Sequence, residues 1–266
     1  MNRIEERFEI LRGRGETAFI PYITAGDPSL AQSEQIVYAL ERAGADVIEF
    51  GVPFSDPVGD GAAIQEAAQR ALALGATLPE VLKTVKRIRA NSQVPLMLFS
   101  YFNPILAHGL EKFAMDCAEA GVDGVLCVDL PPEEAGPYKA ALDARGICTI
   151  FLVAPTSTDE RIAIIAGKCS GFVYYVSRLG VTGERSELAA GLDAAVARIH
   201  QYTSKPVAVG FGISTPEQAR KVAGLAEGVV VGSALVRLIA DAGDTPETAG
   251  KAEAFAKSLA DAVKRG

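Results

Sequence analysis

The chain contains no tryptophan, two histidines and four cysteines in 266 residues. With His108 in an expected loop and His200 in an expected helix, no His-rich metal site can be assembled, and no metal is expected. Cys117, Cys127, Cys148 and Cys169 lie well apart and form no CxxC pair, so they read as small buried hydrophobes in a reducing compartment. No lysine falls in an expected strand, which argues against a Schiff-base aldolase. There is no GxSxG elbow, and no cysteine pairs with a strand-end histidine. No run of basic residues occurs, and the net charge is −7, which argues against a nucleic-acid backbone or an anionic membrane as main partner. No apolar run approaches the ~20 residues of a membrane span. The opening "MNRIEERFEI" is too charged for a secretory signal, so a cytoplasmic protein is expected.

What is present is a repeating pattern. Residues are 49% hydrophobic and 22% charged, enough for a large core. Short apolar, β-branched runs alternate with longer amphipathic stretches. The expected strands are Thr17–Thr24, Asp46–Phe50, Pro95–Ser100, Gly124–Val128, Cys148–Val153, Phe172–Val176, Val207–Gly210 and Gly228–Val231. Most are continuously apolar, as parallel strands covered by helices are. Eight such units predict an α/β (β/α)8 TIM barrel, one domain over residues 1–266, with a doubly wound open sheet as the alternative. Internal echoes agree: "AGADVIEF" at 43–50 resembles "AGVDGVLC" at 120–127, and "VKRIRANSQVPLMLF" at 85–99 resembles "VARIHQYTSKPVAVG" at 196–210.

Extra helices decorate this repeat. Ile4, Phe8 and Leu11 share a helical face behind an Asn2/Glu5 capping box, so residues 2–12 should cover the barrel's N-terminal end. Pro79 to Ala90 reads as an additional helix after strand two, and the tail from Glu247 as another after strand eight. Ser29 is a plausible N-cap and Gly44 a stop for the helix between them.

The chemistry is suggested by two carboxylates. "DVIEFGVPFSDPVGDG" at 46–61 places Glu49 inside an apolar strand and Asp60 in the loop beyond it. Val47 and Glu49 share one strand face. Facing the helices, Glu49 would be a buried charge without a partner; facing inward at the strand's C-terminal end, it opens into the barrel mouth. Glycines in "SRLGVTGERS", "GFGIST" and "VGSALVRL" follow strands six, seven and eight, and Gly232–Ser233 open a helix whose N–H groups suit a phosphate. A phosphorylated substrate is expected. What remains is carboxylate acid–base chemistry between aromatic walls supplied by Tyr22, Tyr101, Tyr174 and Phe211.

Six stretches, "PYITAGDP" (21–28), "IEFGVPFSDPVGDG" (48–61), "SYFNP" (100–104), "SRLGVTG" (177–183), "GFGIS" (210–214) and "VGSA" (231–234), together resemble the tryptophan synthase alpha chain family over nearly the whole sequence. The resemblance implies retro-aldol cleavage of indole-3-glycerol phosphate to indole and glyceraldehyde 3-phosphate, a carbon–carbon lyase reaction of tryptophan biosynthesis. It implies no cofactor in this chain, with pyridoxal phosphate on a beta-chain partner in an alpha2-beta2 heterotetramer. By the same carry-over Glu49 transfers protons and Asp60 holds the indole N–H. Gly183, Gly212, Gly232 and Ser233 bind phosphate. Tyr22, Ile64, Tyr101, Leu126, Tyr174, Thr182 and Phe211 line the indole pocket or lie against it, Thr182 on a loop that closes over substrate. Asp56, Asp129 and Pro131 fall on the partner interface.

The chain departs from the family pattern at two places. Gly59-Asp60-Gly61-Ala62 stands where Ala-Asp-Gly-Pro is usual, which adds backbone freedom beside Asp60 and predicts a loop poorly ordered without ligand or partner. Leu179 replaces a smaller residue, with no physical account. Three alternatives stand beside this reading: another phosphosugar barrel enzyme such as an epimerase or isomerase, a catalytically silent subunit that activates a partner, and a free-standing lyase. The first usually needs more His, Lys or metal ligands at strand ends, and the second has no use for both Glu49 and Asp60.

Overall fold

A computed structural model of the chain describes residues 2–176, 185–210 and 212–264, and for 185–190 the backbone alone. Its strands are β1 Ala18–Thr24, β2 Ile48–Gly51, β3 Leu96–Ser100, β4 Gly124–Cys127, β5 Cys148–Ile150, β6 Leu152–Val153, β7 Val173–Val176, β8 Val207–Gly210 and β9 Gly228–Val231. All pair in parallel, in the order β5-β4-β3-β2-β1-β9-β8-β7-β6. The two ends of that order, β5 and β6, are halves of one chain run, so the sheet curls round into the expected eight-unit barrel. The open-sheet alternative is set aside.

The fifth expected strand, Cys148–Val153, is broken at Phe151. Its first half pairs with β4 and its second with β7. The Phe151 N–H leaves the ladder and donates to the Cys169 sulfur at 3.3 Å, which divides the run. The other expected boundaries hold to within two residues.

Strand alternation separates two cores. Ile48, Phe50, Leu96, Leu98, Val125, Val207, Val209 and Val229 face outward into the layer packed under the helices. Ala18, Ile20, Val47, Met97, Leu126, Ile150, Tyr174, Ala208 and Val230 fill the interior. Val47 therefore points into the ring and its neighbours Ile48 and Phe50 out of it, as period two requires.

The bottom of the ring is plugged by the helix Arg3–Arg14, with both hydrogen bonds of the Asn2/Glu5 capping box formed. Ile4, Phe8 and Leu11 enter the interior core, with Phe8 5.4 Å from the Phe172 ring centroid. Gly124 makes room for the plug, since a Cβ there would stand 2.8 Å from Ile4 Cδ1.

Helices Ala62–Ala73 and Leu78–Arg89 follow β2, and Ser233–Ala242 and Thr248–Val263 follow β9. Ser29 caps the helix Leu30–Arg42, and Gly44, at φ +99°, turns the chain out of it. His108 is a correction: it ends the helix Phe102–His108 instead of lying in a loop, because Pro104 falls within the first turn, where proline is tolerated. Among the described residues no helix is long and apolar enough to cross a membrane.

Candidate active site

The site grows out of the register of the first three strands. Glu49 on β2 stands level with Tyr22 on β1 and Met97 on β3, and Tyr22 packs edge-on against Phe99 at 5.4 Å. Strand-end glycines give the tyrosines space. A Cβ on Gly51 would sit 2.2 Å from the Tyr22 hydroxyl, and one on Gly210 would sit 2.4 Å from that of Tyr174. The rings thus lean over the barrel mouth, and the Tyr22 hydroxyl lies 3.3 Å from Thr24 Oγ1.

Above them opens a cavity of about 510 Å³. Its walls include Tyr22, Glu49, Asp60, Ile64, Phe99, Tyr174, Gly212, Gly232 and Ser233. Glu49 is 1% exposed, and its Oε1 finds no hydrogen-bond partner among the described residues. Burial alone pushes its carboxyl up to about 8, because the charged form has lost water and gained nothing in exchange. Asp60 comes from the loop after β2 and is half-buried. Burial raises its carboxyl to about 6, opposed by a hydrogen bond from the Tyr101 hydroxyl. Near neutral pH one carboxyl in the cavity therefore keeps its proton while the other has mostly lost it. Tyr22 is pushed up by burial and then by Asp60, and Tyr174 by burial and then by Glu49, so both phenols stay protonated.

Gly212, at φ +75°, and the N-terminus of the helix Ser233–Ala242 form another part of the wall, Gly232 being that helix's N-cap. First-turn amides have no partner inside a helix and carry the positive end of its dipole, an arrangement that holds an anion. Among the described residues no group of three His, Cys, Asp or Glu side chains is placed to share a metal ion.

Of the expected site residues, Tyr22, Glu49, Asp60, Ile64, Tyr174, Gly212, Gly232 and Ser233 converge on this cavity. Tyr101 lies behind the wall, its hydroxyl accepting the Gly59 amide at 2.9 Å. Leu126 is wholly buried in the interior core with Met97 and Tyr174, so it supports the pocket without facing it. Asp56 and Asp129 are exposed and Pro131 is half-buried, all outside the cavity. Asp56 accepts from Ser55 at 2.5 Å, and Asp129 from the Phe102 amide at 2.7 Å. Thr182, Gly183, Phe211 and Leu179 lie outside the described residues, and with them the expected loop closure.

Gly59, Gly61, Phe99, Val128, Leu152, Ala154, Pro155, Thr156, Val176 and Val230 also line the cavity and were not foreseen. Phe99, Val128 and Val176 stand at the C-terminal ends of expected strands, and that position was the available signal. Ala154-Pro155-Thr156 carry no chemistry that would mark them.

The freedom expected around Asp60 from Gly59 and Ala62 is opposed by local bonds. The Asp60 amide donates to Pro57 O at 3.0 Å, and Gln65 Nε2 donates to Asp60 O at 2.8 Å. Farther back, Arg70 grips Asp27 through two contacts of 2.9 Å and ties the following helix to the loop after β1.

The family model described as tryptophan synthase alpha chain matches residues 8–264. The tryptophan synthase alpha chain of Geobacter sp. strain M21 is 56% identical over 237 residues, 89% of either chain. That of Opitutus terrae is 47% identical over the full length of both. The crystal structure of tryptophan synthase subunit alpha from Legionella pneumophila superposes with a TM-score of 0.92 at 37% identity, covering both chains completely. A barrel with two unlike carboxyls and a helix N-terminus lining one cavity, matched in sequence and in shape along its whole length, belongs to the tryptophan synthase alpha chain family.

Proposed function

We propose that Glu49 and Asp60 divide the acid–base work of indole-3-glycerol phosphate cleavage between them. The family catalyses that reaction in tryptophan biosynthesis, and this chain is a carbon–carbon lyase of its type. Glu49, protonated near neutral pH, gives its proton to indole C3 and generates an indolenine cation. The resulting carboxylate then takes the proton of the adjacent side-chain hydroxyl as the carbon–carbon bond breaks. Indole and an aldehyde leave, and Glu49 is protonated again. Asp60, mostly ionised at that pH, accepts the ring N–H and offsets the positive charge that develops there. The observation that carries this assignment is that both carboxyls line one cavity in unlike surroundings, Glu49 buried with an Oε1 bare among the described residues and Asp60 half-buried on the loop above it.

The phosphoryl end is assigned to Gly212, Gly232 and Ser233, joined by Gly183. Tyr22, Ile64 and Tyr174 clasp the indole, and the family resemblance adds Phe211 and Thr182 to that role. An alpha chain implies a beta-chain partner. Our reading adds an alpha2-beta2 assembly that docks through Asp56, Asp129 and Pro131, with pyridoxal phosphate confined to the beta chain and no cofactor in this one. It also takes residues 1–266 as one cytoplasmic domain. Delivery of indole inside such a complex keeps a small apolar product from diffusing away.

The test is to incubate the purified chain with indole-3-glycerol phosphate, with and without a beta chain, and to measure indole. Strong stimulation by the partner supports the complexed subunit, and full activity alone supports a free-standing lyase. No indole in either case refutes the assignment.

A further inference from the structure

Gly59 is not at positive φ, so its backbone would accept any L residue. Space is what it supplies. A Cβ there would stand 2.9 Å from Val128 Cγ1 and 3.1 Å from the Tyr101 hydroxyl oxygen. That hydroxyl accepts the Gly59 amide at 2.9 Å, which ties the loop backbone to Tyr101 one residue before Asp60. Tyr101 itself is buried and stacked against Phe54 at the start of the same loop, ring centroids 5.2 Å apart. We propose that Gly59 is a positioning residue: its missing Cβ admits the Tyr101 hydroxyl as a latch that holds the loop so that Asp60 is aimed into the cavity before substrate arrives. Tyr101 thereby stiffens a loop that has an alanine, not a proline, after Gly61.

The inference rests on the reading of Asp60 as the group that receives the indole N–H. The ionisable groups around Asp60 are Tyr101 at the end of β3, Tyr22 on β1, Tyr174 on β7 and Glu49 on β2, which shares its cavity. Of these, Tyr101 is the one that favours its charged form. Loss of the latch must therefore raise the Asp60 carboxyl and move the acid limb of the kcat/KM profile to higher pH.

The experiment is a double-mutant cycle on Gly59→Ala and Tyr101→Phe, each variant checked for folding by circular dichroism. Two readouts are taken: the pH profile of indole formation, and carboxyl-carbon NMR titration of Asp60 in the ligand-free chain. Tyr101→Phe is expected to lower kcat/KM roughly 10- to 100-fold and Gly59→Ala about 3- to 10-fold, the range for hydrogen bonds to a charged group. Both should shift the acid limb and the Asp60 titration upward, and the double variant should fall less than about twofold below Tyr101→Phe. Additive losses, or an Asp60 titration unmoved in both variants, overturn the latch. An Asp60 titration that rises while the parent forms no indole leaves the latch standing and refutes the reaction instead. If Tyr101→Phe does not fold, Gly59→Ala alone decides by whether its Asp60 titration rises.

Discussion

Asp46 and Glu49 stand three residues apart on one strand approach, and both are buried, at 0% and 1% exposure. Asp46, at the plugged end of the ring, accepts from Arg7 at 2.5 and 2.9 Å and from the Phe19 amide at 2.8 Å, with Lys264 at 3.5 Å. Asp123 at the same end is held by Arg3 and Arg89. Glu49, at the open end, has no cation beside it among the described residues, and its Oε1 is bare. The contrast separates two uses of a buried carboxyl. A paired one staples the N-terminal helix to the sheet. An unpaired one holds a proton, which is a cost to folding and the requirement for an acid. The barrel segregates the two to opposite faces.

The comparison breaks first at Glu49. Glu49→Gln should lower turnover by about 10²- to 10⁴-fold, the usual yield of a positioned proton donor, while affinity for a phosphate-bearing ligand stays within a few fold. Turnover close to that of the parent in an indole assay would remove Glu49 from the chemistry. Next, Asp46→Ala should cost about 3 kcal/mol or more in urea unfolding, because it strands Arg7 and the Phe19 amide. Its kcat, measured where the variant is folded, should stay within about threefold of the parent, since any larger loss would couple the two faces.

A third test uses pH. A carboxyl raised from 4.5 to about 8 is protonated in the folded chain and ionised in the unfolded one across that window. Its contribution to stability is therefore full below about 4.5 and is lost as pH rises toward 8. The stability of Glu49→Gln relative to the parent should climb by up to ~1.4 kcal/mol per pH unit through that range. A constant gap in denaturation curves would mean that Glu49 is ionised in the folded chain. The smallest effect is expected at Tyr138, whose buried hydroxyl also finds no partner among the described residues but faces no cavity. Tyr138→Phe should leave activity unchanged and raise stability by up to about 1 kcal/mol. A loss of stability would mean that the hydroxyl is paired in the folded chain and that the comparison with Glu49 does not extend to it.

Much of this was legible before any coordinates. The alternation of apolar strands and amphipathic helices placed eight units nearly to the residue, and the capping box at Asn2 and Glu5 announced the plug. Glu49 was legible because a charge inside an apolar run has few affordable orientations. The division of the fifth strand at Phe151 was not, because it depends on a thiol, Cys169, that only the curled sheet brings within 3.3 Å. Nor was the place of Leu126 beneath the pocket, since periodicity gives the face of a strand and not the depth along it.

The sequence by itself determined the repeat, the inward face of Glu49 and the glycines available for an anion, all consequences of short-range periodicity and local backbone freedom. The tertiary structure alone decided which carboxyl is paired and which is bare, because pairing joins Arg7 to Asp46 and Arg3 to Asp123 across long stretches of chain. It alone decided as well that Gly59 serves Tyr101. That glycine looks like slack in the sequence, and it is a tight fit once the third strand is packed behind it.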